Sequence, residues 1–197
     1  MFKNTLKLTG FILKRERISS SAWIIGTAGF NALIVVLMAY AMMATAQSRT
    51  ELIQMFNNPA LLAMIGPLHP QYGVNNSDFG YLYTLFMMLM VAIVVGIMNI
   101  FLVVRHTRTD EELGRYEVLR SLPSGRLANI NAAMVAAVFV NITFAVTITF
   151  SMWPLMGLTD GATMDFSSAL LWGVNIGVIG LVFAAIAALF SQLSSTA

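Results

Sequence analysis

Very few side chains in this sequence have the types and the spacing that catalysis requires. The two histidines, His69 and His106, are separated by a charge-free run from 79 to 104 that is long enough to cross a bilayer, so they cannot share a metal ion or a proton relay. No nucleophile is recognisable beside a matching base. There is no glycine-rich loop ending in Lys-Ser or Lys-Thr, and there is no cysteine. The sequence therefore predicts no catalytic residue, no metal site and no cofactor bound by this chain, which is not expected to hydrolyse ATP itself.

The charged residues are concentrated in the segment 105–126, which holds nearly half of them. Thr109 followed three residues later by Glu112 forms a capping box, and the two acidic residues between them place negative charge at the positive end of a helix dipole. Each of these features stabilises a helix by about 0.5–1 kcal/mol. The segment therefore predicts a helix that begins directly after Thr109 and ends before Pro123, because proline disfavours the helical conformation of the residue before it.

The faces of this helix leave two interpretations open. Its large apolar residues, Tyr116, Leu119 and Leu122, form a narrow stripe that charged residues interrupt. Such a pattern is typical of a helix that binds in a groove of a partner protein. A solvated helix that only joins two membrane spans would be supported equally well by the ion pair of Glu111 and Arg115 at i,i+4.

The composition indicates that lipid is the solvent of most of the chain. Of its 197 residues, 58% are hydrophobic and only 10% are charged, and the mean hydropathy is +0.78. The apolar residues lie in four charge-free runs, each long enough for the roughly 20 helical residues that cross about 30 Å of hydrocarbon. The sequence predicts an all-α integral membrane protein with transmembrane helices at 21–45, 80–104, 129–153 and 167–190.

Lysine and arginine indicate how these spans are oriented, because positively charged loops stay on the cytoplasmic side. One basic cluster precedes the first span and another lies between the second and third: Lys3, Lys7, Lys14, Arg15 and Arg17, then Arg105, Arg108, Arg115, Arg120 and Arg126. Segments 46–79 and 154–166 are therefore predicted outside the plasma membrane, with both termini in the cytoplasm. A signal peptide cleaved near Ala46 would also begin with basic residues, but the apolar run is too long for one.

Two segments outside the spans have local structural signals of their own. Residues 1–18 mix large apolar and basic side chains, as an interfacial helix in the membrane surface does, although a basic anchor without a helix would set the same topology. Prolines and glycines divide the external segment into short helices around 49–57 and 60–65. This compact, irregular segment is either a cap over a transport path or a passive connector.

Polar residues inside the spans are candidates for a substrate path, because such side chains face other helices or a cavity rather than lipid. The candidates are Asn31, Asn99, Asn141, Thr143 and Thr147. The alternative for each is a hydrogen bond between helices, worth roughly 0.6 kcal/mol. Gly173, Gly177 and Gly180 place small residues on one face of the fourth span, which predicts close helix packing there.

The central loop and its surroundings resemble a known family. The runs from Leu102 to Glu117 and from Arg120 to Leu127, with the external run from Asn58 to Pro67, are similar to the type-2 ABC exporter permeases of the polyketide-antibiotic exporter group. The order of one interfacial helix, two spans, a cytoplasmic helix and two spans is similar to the N-terminal portion of that family. The resemblance covers essentially the whole chain.

The resemblance implies a permease component of an ATP-driven exporter of hydrophobic compounds or antibiotics, and thereby a role in antibiotic resistance. It implies that a separate ABC ATPase subunit holds ATP and Mg²⁺, and that the 105–126 loop couples to this subunit. The coupling residues would be Thr109, Asp110, Glu111, Glu112, Gly114, Arg115, Tyr116, Glu117, Leu119 and Arg120. Family members are longer and have two similar halves, so the remainder of the permease or a second permease copy would be a further partner.

The opposing class of function is a non-transporting membrane component, such as a sensor or an assembly subunit. Both classes place the chain in the lipid bilayer, and a net charge of +2 does not indicate a nucleic-acid partner for either. The two classes differ at the predicted cytoplasmic helix. Substitutions there should uncouple an ATPase only if the chain is part of an exporter.

Overall fold

The structure is a computed structural model that describes residues 4–42, 45–56, 58–66, 79–107, 128–155 and 164–193. The helices within these ranges are α1 (Thr5–Met42), α2 (Ala46–Phe56), α3 (Pro59–Ile65), α4 (Phe79–His106), α5 (Ala128–Met152) and α6 (Phe166–Leu193). A 3-10 turn, Trp153–Leu155, follows α5, and the described ranges contain no strand. The predicted all-α class is confirmed.

Four of these helices, α1, α4, α5 and α6, are long and apolar enough to cross a membrane. The bounds of α4, α5 and α6 agree with the predicted runs to within three residues at each end. Large exposed apolar side chains, among them Phe101, Phe139 and Leu171, lie along these helices, as they do on helices that face lipid. The chain is therefore a multi-pass membrane protein.

The predicted interfacial helix at 1–18 and the predicted first span at 21–45 lie largely on one continuous helix. Residues Thr5–Met42 form one helix of 38 residues without a break. The charged residues of this segment end at Arg17, but the helix continues past that point, and no glycine or proline lies between 11 and 25. At 1.5 Å per residue the helix has a contour length of about 57 Å, roughly twice the hydrocarbon thickness, so much of it extends beyond the hydrocarbon.

Local sequence accounts for the ends of the long helices. Arg105 and His106 occupy the last turn of α4, where basic side chains interact favourably with the negative end of the helix dipole. The helix α5 gives way to the 3-10 turn at Pro154, which has no N–H group to continue the helical bonding. Before α6, the Ser167 hydroxyl donates to the Asp165 carboxylate and holds the pKa of that carboxyl below its usual value, so a negative charge precedes the first helical turn.

Within the segment predicted to lie outside the membrane, the described residues contain the two short helices that its proline and glycine residues predict. The Asn58 side chain accepts a hydrogen bond from the backbone N–H of Ala60 at 2.9 Å and so caps α3, with Pro59 at the first helical position. Gly66 ends the helix with φ at +87°, a conformation that glycine adopts without strain. Its N–H donates to the carbonyl of Leu62 at 2.9 Å.

The chain divides into two compact units, and each long helix contributes to both. The first unit comprises 1–24, 92–144 and 176–197, and the second comprises 25–91 and 145–175. In the first unit, Ile12 packs against a face of α5 made of three fully buried alanines, Ala132, Ala133 and Ala136. The buried side chains of the second unit are larger, and they include Phe79, Leu82, Tyr83, Ile148, Met152 and Trp172.

The orientation predicted from the basic clusters can be tested directly, because the chain contains no cysteine. Single Lys14→Cys and Thr50→Cys variants place a thiol at exposed positions on α1 and α2. We expect a membrane-impermeant maleimide to label Thr50→Cys in intact cells and Lys14→Cys only after permeabilisation, because the basic segment stays in the cytoplasm. Labelling of Lys14→Cys in intact cells would show that the topology is the reverse of the predicted one.

Candidate functional site

The predicted coupling residues, from Thr109 to Arg120, lie outside the described residues. The structure does describe the two points from which the segment 108–127 departs. These are the end of α4, at Arg105 to Thr107, and the start of α5, at Ala128. Candidate functional residues lie around these two helix ends and, separately, among the polar residues of the spans.

A buried carboxylate on α1 contacts the end of α4. Glu16 is only 3% exposed, and its Oε1 and Oε2 atoms accept from the Arg105 guanidinium at 3.0 Å and 3.2 Å. The Nε2 atom of His106, which is 1% exposed, lies 2.9 Å from Oε1 of the same carboxylate. The Arg105 guanidinium donates to this carboxyl group, and the tautomer of His106 that carries a proton on Nε2 does the same.

The same cluster reaches the start of α5. The side-chain amide of Asn129 donates to the backbone carbonyl of His106 at 3.0 Å. A separate contact joins α1 to α5. The Thr9 hydroxyl lies 3.4 Å from the Ala132 carbonyl oxygen.

Sequence reasoning missed Glu16. It stands among Lys14, Arg15 and Arg17, and an acidic residue in a basic segment is readily taken for part of a solvated surface. The available signal was that both the first basic segment and Arg105 were predicted on the cytoplasmic side, where one acidic residue could pair with the end of the second span. Glu16 and His106 could also ligate a metal, but the described residues include no group of three such ligands.

Two predicted path residues, Asn99 and Asn141, are brought together by the structure. The Asn99 amide donates to Oδ1 of Asn141 at 3.1 Å, and the Asn141 amide donates to Oδ1 of Asn99 at 2.6 Å. Each amide also donates to a carbonyl of its own helix, those of Val95 at 2.9 Å and Ala137 at 2.8 Å. Both side chains are fully buried with every amide hydrogen bonded, so the pair joins α4 to α5.

The predicted close packing of the fourth span is confirmed at Gly180 and Gly173. A Cβ atom on Gly180 would collide with Oδ1 of Asn141 and would lie 2.6 Å from the Asn99 amide nitrogen. A Cβ atom on Gly173 would lie 2.5 Å from the Ala145 carbonyl oxygen. Both distances are shorter than van der Waals contact, so only glycine lets α6 approach these neighbours.

A second polar group lies in the second unit around Asn31, a further predicted path residue. The Tyr83 hydroxyl donates to Oδ1 of Asn31, and the Tyr83 ring meets the Trp172 ring edge-on with centroids 6.2 Å apart. In the part of the chain that the structure describes, neither Nδ2 of Asn31 nor Nε1 of Trp172 has a hydrogen-bond partner, although both are buried. A buried donor left unpaired costs about 1–3 kcal/mol.

The two predicted path threonines are not brought to these asparagines. Thr143 is exposed, and its hydroxyl donates to the Phe139 carbonyl of its own helix at 2.9 Å. Thr147 is half-buried. Thr149 is the buried threonine of α5. Its hydroxyl lies 3.4 Å from the Ala169 carbonyl oxygen of α6, beside Gly173 of the same helix.

Comparison with known proteins adds an observation that is independent of the geometry. No protein-family model matches the chain. The chain is similar to a multidrug efflux system permease protein of Mycobacterium tuberculosis, with 28% identity over 201 residues. The similarity covers all of this chain and 33% of that protein, so the chain spans about a third of the length of the relative it matches.

Proposed function

We propose that this chain is the membrane-embedded permease component of an ATP-driven efflux system that moves hydrophobic small molecules out of the cell. One observation carries the proposal: the whole chain is similar to a protein named as a multidrug efflux permease. Four helices of membrane-spanning length are consistent with such a role. Since the chain spans about a third of that relative, the working transporter would include the remainder of the permease or a second copy.

We further propose that the loop 105–126 couples the permease to a separate ABC ATPase subunit, which binds ATP and Mg²⁺. The resemblance of this loop to type-2 exporter permeases supports the proposal, as do its capping box and its charged helix. The anchoring of both ends of the loop adds support: His106 is bonded to Glu16 on one side and to Asn129 on the other. A loop that transmits force needs such fixed ends. A sensor or assembly subunit is the alternative function.

The coupling proposal predicts the behaviour of Arg115→Ala and Tyr116→Ala variants. A large side chain at the centre of a protein interface contributes more than about 1 kcal/mol, so each variant should bind the ABC ATPase roughly tenfold more weakly. Membrane insertion should be unchanged. The measurement is copurification with a candidate ABC ATPase, together with export from cells.

The matched control is Lys14→Ala, which removes one positive charge from an exposed position of α1. It should retain binding and export. Full export by both loop variants would contradict the coupling role and favour a sensor or an assembly subunit.

Among the five candidate path residues, we propose Asn31 as the one that contacts substrate, together with Trp172. Two buried donors, Nδ2 of Asn31 and Nε1 of Trp172, are available beside the aromatic rings of Phe79 and Tyr83. They suit an apolar, aromatic compound that carries acceptor oxygens. Asn99 and Asn141 satisfy each other, which favours helix packing as their role, and the self-bonded Thr143 and half-buried Thr147 have no comparable support.

The Asn31 proposal is tested with daunorubicin, a fluorescent aromatic compound with quinone oxygens. Asn31→Leu should reduce its export roughly tenfold at equal protein abundance, the effect of losing one substrate hydrogen bond. The control Asn175→Leu alters an exposed asparagine of α6 and should export normally. If Asn31→Leu and Trp172→Phe export daunorubicin at the wild-type rate, these donors do not contact substrate.

A further inference from the structure

The short helix α3 presents apolar side chains to its surroundings. None of the residues of Pro59–Ile65 has a polar side chain. Ala60, Ala63 and Met64 are exposed, and Met64 is 66% exposed. We propose that α3 is an interfacial helix that binds the phospholipid surface with this face, in the outer leaflet according to the predicted topology. The inference goes beyond the proposed function, because it holds for an exporter and for a sensor alike.

The contrast between α2 and α3 is the first argument. Among the described side chains of α2, those exposed before its last turn are polar: Gln47, Thr50, Glu51 and Gln54. On this face the Gln47 amide donates to the Glu51 carboxylate at 3.2 Å. A helix with a polar exposed face lies in water, whereas an apolar exposed face marks contact with lipid or protein. The two helices are therefore expected to lie in different surroundings.

The lack of charge beyond the middle of α2 is the second argument. The sequence contains no Asp, Glu, Lys or Arg between Glu51 and Asp78. About a quarter of the residues of a soluble protein are charged, so a water-exposed segment of this length would hold several charges. The segment that contains α3 therefore has the composition of chain at a membrane surface, and not that of a solvated loop.

The position of α3 along the chain is the third argument. Leu37 and Tyr40, close to the end of α1 at Met42, are more than half exposed, so the lipid-facing surface of α1 extends to its end. Tyrosine is typical of the level of the lipid headgroups. The helix α2 begins at Ala46, and α3 follows it and lies next to it in the same compact unit. The helix α3 is therefore within reach of the surface that α1 leaves.

The two ends of α3 provide the fourth argument. A helix in a region poor in water must satisfy its terminal N–H and C=O groups with other partners. The Asn58 side chain accepts from the Ala60 N–H at 2.9 Å, and the Gly66 N–H donates to the Leu62 carbonyl at 2.9 Å. Each end thus has a hydrogen bond that a flanking residue supplies. These bonds make it less costly to place so short a helix among lipids.

The test uses single spin labels, because the chain contains no cysteine. The protein is purified with the subunits that accompany it and reconstituted into vesicles of phosphatidylethanolamine and phosphatidylglycerol. Oxygen concentrates in lipid, so it should shorten the spin relaxation of a Met64→Cys label more than a water-soluble nickel complex does. The matched control is Gln54→Cys, on the polar face of α2, where the order of the two quenchers should be reversed.

A second measurement uses the wild-type chain, so it does not depend on how α3 tolerates a label. A lipophilic aryl diazirine in the same vesicles loses N₂ on irradiation, and its carbene inserts into C–H bonds that contact lipid. Mass spectrometry should find adducts on 59–65 and none on 47–54. Adducts on 88–90, where the side chains of the span α4 are exposed, are the positive control.

Two results would overturn the inference. Stronger relaxation by nickel at Met64→Cys, without adducts on 59–65, would place α3 in water. Protection of the label from both quenchers, again without adducts, would place α3 against protein, such as a second copy or the remainder of the permease. Export is part of neither measurement, so failure of the proposed function would leave both readouts unchanged.

Discussion

A polar side chain inside a bilayer has no water to bond, and this constraint decides which helices of the protein touch. Asn99 on α4 finds its partner in Asn141 on α5, with every amide hydrogen of the pair engaged. Outside the predicted spans, the buried Glu16 of α1 pairs with Arg105 and His106 at the end of α4. Apolar side chains alone would allow many packings in lipid, since lipid tails are as apolar as leucine. The polar pairs select one of these packings.

Small residues make these pairings possible. Gly180 lies against the Asn99–Asn141 pair at a distance that leaves no room for a Cβ atom. The alanine face of α5, represented by Ala132, admits Ile12 and Thr9 of α1 in the same way. Where the polar groups are not fully paired, at Asn31 and Trp172, the protein retains hydrogen-bonding capacity in an aromatic environment. The same few residue types thus join helices where every hydrogen bond is formed, and keep an unpaired donor where it is not.

The sequence predicted the spans well because charge-free runs and their flanking prolines, glycines and basic residues are local features. The capping of α3 by Asn58 was readable for the same reason. Pairing between distant residues was not readable, because the rotation of α4 against α5 that brings Asn99 to Asn141 is set by the whole packed assembly. Glu16 was overlooked since its partners lie about 90 positions away. The sequence divided α1 where its charged residues end, at Arg17, although the helix continues past that point.

The most direct test of the pairing constraint is a double-mutant cycle on Asn99 and Asn141, measured as the free energy of unfolding in detergent. Asn99→Leu and Asn141→Leu should each destabilise the protein by about 1–3 kcal/mol, because each leaves a buried amide without its partner. The double variant should be less destabilised than the sum of the two by about 0.6–1.7 kcal/mol, the range found for hydrogen bonds between membrane helices. Effects that add to within about 0.3 kcal/mol would contradict the account, because the two side chains would then act independently.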